Sequence, residues 1–479
     1  MRPTLLRREL LSAGALGLSA SLVGCADVGR LWSGSAIPER FSAPSSETID
    51  PDHHLLSRIT FGPRPGDRER VARLGWTAFI DEQLATDEPG LAFRLLGDVD
   101  VMSMEPSALL ELSPEHVEGQ LVRHALAAAV LSERQLHEVV AEAMSDHFHV
   151  AIAKGDCRHF LPADRRDVIR AHALGSFRDM LATSVLSPAM LVYLDGKDNV
   201  AASGSTGSVN ENHARELLEL HTLGVNGGYR QRDVHEVARC LTGFVVGSKW
   251  RPGDVEFVPE RHDDGEKQVL GHTIAAGGGR ADVDRLLDIL VEHPSTARHV
   301  ARRLVTTFVA DEPSEAAIAS AAATFTSSRG DLRATTRSIL LSDEFAASAG
   351  AKVKRPFRFV ASALRGLGVL RAPSEETVDR LARMGHRPFA WPTPDGYPQS
   401  GRAYLPSLLG RFQLARLLGE GELAGAPFDA TRLARACGGG HVFAHLTGRA
   451  PNPTERDVLA GDPKRAVALA LSSPAFQRT

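Results

Sequence analysis

The sequence predicts a mostly α protein, a multi-helical globular body carrying one small β-hairpin, and three observations predict it. Apolar residues recur at helical spacing through most of the 479 residues, in a chain rich in Ala, Leu and Arg. Hydrophobic residues make up 43% and charged residues 24%, a balance that supports a substantial core and excludes a disordered chain. Alternating apolar residues are confined to one stretch, Val255 to Ile274. The formal net charge of −4, with basic residues dispersed along the chain, argues against a nucleic-acid partner.

Residues 1–24 form an export signal. Arg2, Arg7 and Arg8 make a positive start, and the apolar run Leu10 to Val23 is too short to span a bilayer, which takes about 20 residues. Arg7-Arg8-Glu9-Leu10-Leu11 resembles a twin-arginine signal, and Leu22-Val23-Gly24-Cys25 resembles a lipobox in which Cys25 takes the lipid and becomes the mature N-terminus. The expectation is an extracytoplasmic lipoprotein, periplasmic or at the cell surface, held to the membrane by that lipid. Residues 25–48, rich in Ser, Gly and Pro, read as a flexible tether.

The body divides into an N-terminal half, 49–275, and a C-terminal half, 276–479. Helices are expected near 68–86, 115–131, 133–150, 164–183, 211–223 and 232–242. The segments VEFVP and QVLGHTI flank HDDGEK and read as the hairpin. Gly175-Ser-Phe-Arg-Asp-Met-Leu followed by Leu186-Ser187-Pro188 is echoed at Gly330-Asp-Leu-Arg-Ala followed by Leu341-Ser342-Asp343, and in part at Ala470 to Phe476. Such echoes raise two related helical halves. Cys157, Cys240 and Cys437 make no disulfide framework and no zinc signature.

The chemistry is expected on the Asn210–Gly224 helix. Asn212, Glu216 and Glu219 fall on one stripe of a helix otherwise crowded with leucine, so the two carboxylates need a counter-charge, a metal or a shared proton. Arg215 and Arg239 are the candidate counter-charges in a structural network. In an active site Glu216 or Glu219 would be general base or metal ligand, and the two arginines would hold an anionic substrate. His221 falls on the opposite side. His147 shares a face with Leu136, Val140 and Met144 and points into the core, whereas Asp146 and His149 point elsewhere and read as surface groups. His262 is not required by its turn. Together His147, Glu216, Glu219 and His262 would suit a divalent transition metal. Trp391 to Pro398, WPTPDGYP, reads as a stiff lid against the second half, or as an aromatic platform.

FGPRPGD, AMSDHFHV, NENHARELLELHTLG, DVHEVARCLTGF, HDDGEKQVLG, KVKRPF and WPTPDGYP stand in an order that resembles the bacterial family catalogued as domain of unknown function 1800. The resemblance spans roughly residues 50 to 415. It implies an exported, mostly helical protein often encoded beside a sulfatase-like exported partner, and it brings no catalytic residues. The chain departs from that pattern at Ala143–Phe148, where relatives carry FWxNHF, and at Phe244, where they carry tryptophan. The expected function is a metal-assisted, hydrolase-like envelope enzyme, with a non-catalytic scaffold for the co-exported partner as the alternative.

Overall fold

Short helices predominate because the chain supplies a cap at nearly every start. Asp50, Ser113, Ser176, Ser187, Ser314, Asp331, Ser342 and Ser374 each accept a backbone N–H of the first helical turn, and proline occupies the first turn at Pro51, Pro114 and Pro188. The computed structural model describes residues 35–87, 100–201, 209–247, 253–437 and 442–479. The expected export signal, Cys25 and the Gly/Ser stretch 202–208 lie outside the described residues. The architecture is mostly α, with only two small two-stranded sheets among the described residues. One continuous buried apolar cluster runs from Ile37 to Phe476 through both expected halves.

The expected tether is docked over its described part. Ile37 and Phe41 are buried, Ala36 donates to the Gly368 carbonyl and Phe41 to that of Ala436. Two apolar side chains in a polar stretch were enough to bind it down. The first two echoes meet each other: Phe177 N–H donates to Gly330 O and Leu332 N–H to Gly175 O, both at 2.9 Å. Each echo thus caps a helix, Phe177–Val185 or Leu332–Leu340, and exchanges equivalent bonds with the other.

The expected hairpin is replaced by two. Strand β1 (Phe244–Val246) pairs with β2 (Val255–Phe257), and β3 (Lys267–Val269) pairs with β4 (His272–Ile274). Leu270 and Gly271 take φ of 52° and 82°, the left-handed pair that a two-residue hairpin turn requires, so this turn and not Asp264-Gly265 closes the ribbon. VEF is left to pair backwards with the end of the TGF element.

Two helices widen into π-turns, at Asp164–Arg170 and Leu217–Thr222. The second ends its helix, so its last carbonyls have no partner within it, and imidazoles take them: His299 Nε2 donates to Leu220 O at 2.8 Å and His147 Nε2 to His221 O at 2.9 Å.

Candidate functional site

The helix Gln135–His147 carries Glu138, Glu142 and Asp146 four residues apart, one carboxylate per turn on the same side. Neighbours pack all round this helix, so Glu138 and Asp146 are buried. Burial alone would push such carboxyls up; arginines oppose it. Arg170 bonds Glu138, and with His137 and Arg165 it holds that carboxyl well below the usual range despite burial. Arg355 bonds Glu142 with one arm and Asp146 with the other, the latter at 2.6 Å. Burial works against the Arg355 charge, but the two carboxylates outweigh it and keep the guanidinium firmly protonated.

The π-turn explains how Arg165 and Arg170 serve one helix. Residues five apart diverge by 140° on an α-helix, and the wider turn reduces that divergence. Arg165 is 5% exposed and donates to Ser145 Oγ at 3.0 Å, its guanidinium 5.6 Å from the Phe389 ring centre. Its Nε has no partner, and among the described residues no carboxylate lies within ion-pair distance of it. Burial, helped by Arg170, pulls it down to about 10.

A cavity of about 40 Å³ opens beside these groups. Glu138, Glu142, Ser145, Asp146, His149 and Arg165 line it together with Phe357, His386, Phe389 and Tyr397. His149 is buried; its Nε2 donates to the Trp391 carbonyl at 2.8 Å, which leaves Nδ1 as a lone-pair acceptor. Burial keeps it neutral, outweighing that bond and Asp146. His386 lies between Tyr397 and Tyr404, with ring centres 4.3 and 5.3 Å away, and burial with Arg355 and Arg411 keeps it neutral too.

The Trp391–Pro398 segment packs against the first half, not only the second, and its Tyr397 lines the cavity. Gly396, at φ 72°, lies so close that a Cβ there would sit 2.3 Å from Asp146 O. Phe389 is held at φ 64°, unusual for an aromatic residue, by the bond from Ile152 N–H to its carbonyl. Tyr397 is buried and donates to Arg387 O, so it offers no exposed platform. Asp146 and His149, expected at the surface, are therefore central. Their signal was the spacing of Glu138, Glu142 and Asp146, which periodicity alone assigns to a wet face.

The expected site residues do not converge. His147 is spent on the His221 carbonyl, and burial keeps it neutral. His262 is clamped between the Thr242 carbonyl at 3.0 Å and Asp282 at 3.2 Å, where Lys267 also bonds Asp282. Arg239 grips Asp263 at 2.8 and 2.9 Å and Glu236 at 2.9 Å, and Arg215 bonds Glu211 and Gln231. Glu236 and Asp233 accept the backbone N–H groups of Gln268 and Leu270, so this helix fastens the β3–β4 ribbon.

The Glu216–Glu219 stripe is half-buried, with Asn212 exposed, and neither arginine bonds it. Tyr229 donates to Glu219 at 3.1 Å, while burial and Glu219 push the Glu216 carboxyl up. The buried face of that helix is His213, Ala214, Leu217, Leu218, His221 and Thr222. No group of three or more His, Cys, Asp or Glu among the described residues is disposed to hold a metal ion. Cys157, Cys240 and Cys437 are free and buried.

Residues 54–478 match the family model described as Protein of unknown function (DUF1800). No curated protein and no solved structure matches the chain.

Proposed function

The chain belongs to the DUF1800 family of proteins of unknown function, and from that premise we propose that it is an exported, lipid-anchored envelope enzyme of hydrolase type whose working site is the Arg165 cavity. The observation that carries the reading is Arg165 itself. It is a buried guanidinium that Glu138, Glu142 and Asp164 act on but that no carboxylate among the described residues bonds directly, facing a cavity walled by four of the segments that carry the family resemblance. Phe61 comes from FGPRPGD, Asp146 and His149 from AMSDHFHV, Phe357 from KVKRPF and Tyr397 from WPTPDGYP.

In this reading Arg165 takes an anionic or developing oxyanion group of the substrate, as arginine's planar fork suits. His149, neutral and oriented by the Trp391 carbonyl, accepts a proton from water at Nδ1 and returns it to the leaving oxygen. Glu142 and Asp146, both bonded by Arg355, fix the helix that carries Ser145. The Trp391–Pro398 roof must lift for a substrate to enter, and the strained Phe389 marks where it would hinge.

The test is turnover of p-nitrophenyl acetate and p-nitrophenyl phosphate by the exported protein and by His149→Gln. Turnover lost in the variant, with folding and phosphate binding retained, supports the enzyme. Equal turnover in both proteins removes His149 from the chemistry.

A scaffold for a co-exported partner is a second reading, favoured by one observation. Leu405, Leu409 and Phe412 are 49, 68 and 43% exposed on one face of the 401–420 helical segment. Retained cellular function in Arg165→Met with loss in Leu409→Asp would favour it.

A further inference from the structure

A second cavity, of about 10 Å³, shares no lining residue with the Arg165 cavity and holds a lysine that no acid bonds. His53, Ser57, Lys354, Ser362, His445 and Phe476 line it, and none of its lining residues is a carboxylate. Lys354 is 5% exposed and its ammonium stands 3.5 Å from the centre of the Phe476 ring. Its Nζ has no hydrogen-bond or ion-pair partner among the described residues. A cation–π contact offsets only part of the cost of burying an ammonium.

The other polar groups narrow what fits. Ser57 and Ser362 donate to the His54 and Phe359 carbonyls, and His445 Nε2 donates to Gly366 O at 2.8 Å. The donors left are the Lys354 ammonium and the His53 imidazole. Burial, with the cations Arg358 and Arg411, pulls the Lys354 amine well below its ordinary value, so its protonated form needs an anion beside it. His53 feels Lys354, His445, Arg68 and His54. The carboxylates nearest in effect, Asp67 and Glu69, act on His445, and Asp50 is engaged by Arg68 and by the His53 backbone N–H. The space admits about one water-sized guest, too little for phosphate or sulfate.

We propose that this cavity is a binding site for one halide-sized inorganic anion, held by the Lys354 ammonium and the His53 N–H. The anion supplies the missing counter-charge. It also fixes the start of the 356–366 helix, because Lys354 precedes Arg355, the residue that bonds Glu142 and Asp146. Chloride is the physiological member of that class. The site is independent of the hydrolase reading and stands or falls without it.

The experiment uses crystals of the whole mature chain soaked in sodium bromide. An anomalous bromide peak within hydrogen-bond distance of Lys354 Nζ is expected; a water there with no anomalous signal overturns the proposal. In solution, chloride is titrated against gluconate at constant ionic strength. Each tenfold rise in chloride above its Kd should raise the melting temperature by about 2 °C, and Lys354→Met should abolish the dependence. An equal chloride response in wild type and Lys354→Met would also overturn the proposal. Should that variant not fold, the bromide map of the wild type decides.

Discussion

Lowering the pH from 7 to 5 should strongly destabilise this protein before most of its carboxylates titrate. Burial pushes His54 and His213 down to about 4 and His124 and His221 down to about 3. Each folded value lies below the unfolded one near 6.5, so as pH falls the unfolded chain takes up the proton first. Stability is therefore present above pH 6.5 and is lost from there down to each folded value. Between pH 6.5 and 5 each such histidine costs about 2 kcal/mol, and the four together about 8 kcal/mol. His53, His147 and His386, also held neutral by burial, act in the same direction.

One group opposes them. Burial raises the Asp164 carboxyl to about 7, so its neutral folded form recovers about 2 kcal/mol over the same interval. The net loss of about 6 kcal/mol from these five groups compares with a total stability of about 5–15 kcal/mol for a typical protein. Urea unfolding at half-unit steps from pH 7 to 5, with proton uptake measured on unfolding, reads both quantities. About three or more protons should be taken up near pH 5. A stability that is flat or rising across this interval, with less than about one proton taken up, would refute the reasoning.

Other perturbations separate the sites. Arg355→Met leaves the buried Asp146 and the part-buried Glu142 without their partner and should cost about 3–5 kcal/mol in urea unfolding. Gly396→Ala places a Cβ against the Asp146 carbonyl at a positive φ, so it should cost more than about 1 kcal/mol and raise hydrogen exchange in the Trp391–Pro398 roof. Glu216→Gln with Glu219→Gln removes a half-buried pair that no arginine bonds, and should fold with stability within about 1 kcal/mol of wild type.

The class of the fold was legible because helix caps and apolar spacing are local. Ser176 and Asp331 announce their helices, and the echo they belong to was readable, although that the two segments pair was not. The hairpin was misplaced because Asp264-Gly265 is the stronger turn signal in sequence, while Leu270 adopts a conformation leucine rarely takes. At the site, periodicity assumes that one helix face meets water. It therefore turned Asp146 and His149 outward and drew attention to Glu216 and Glu219, whose helix looked more crowded. What decided burial was partners from distant segments, Arg165, Arg170 and Arg355, and no spacing within residues 135–149 reports them. His147 pointed inward as its face implied, but the π-turn at Leu217–Thr222 that offers it a carbonyl has no sequence signature of its own.

Whether the cavity beside Arg165 receives an anionic group is decided by titrating inorganic phosphate into the folded protein and into Arg165→Met by calorimetry. Saturable binding to the wild type is expected, with a stabilisation of about 2.7 kcal/mol at a hundredfold excess over Kd, and neither effect in the variant. Equal phosphate binding by a folded Arg165→Met, or none by the wild type, would contradict it.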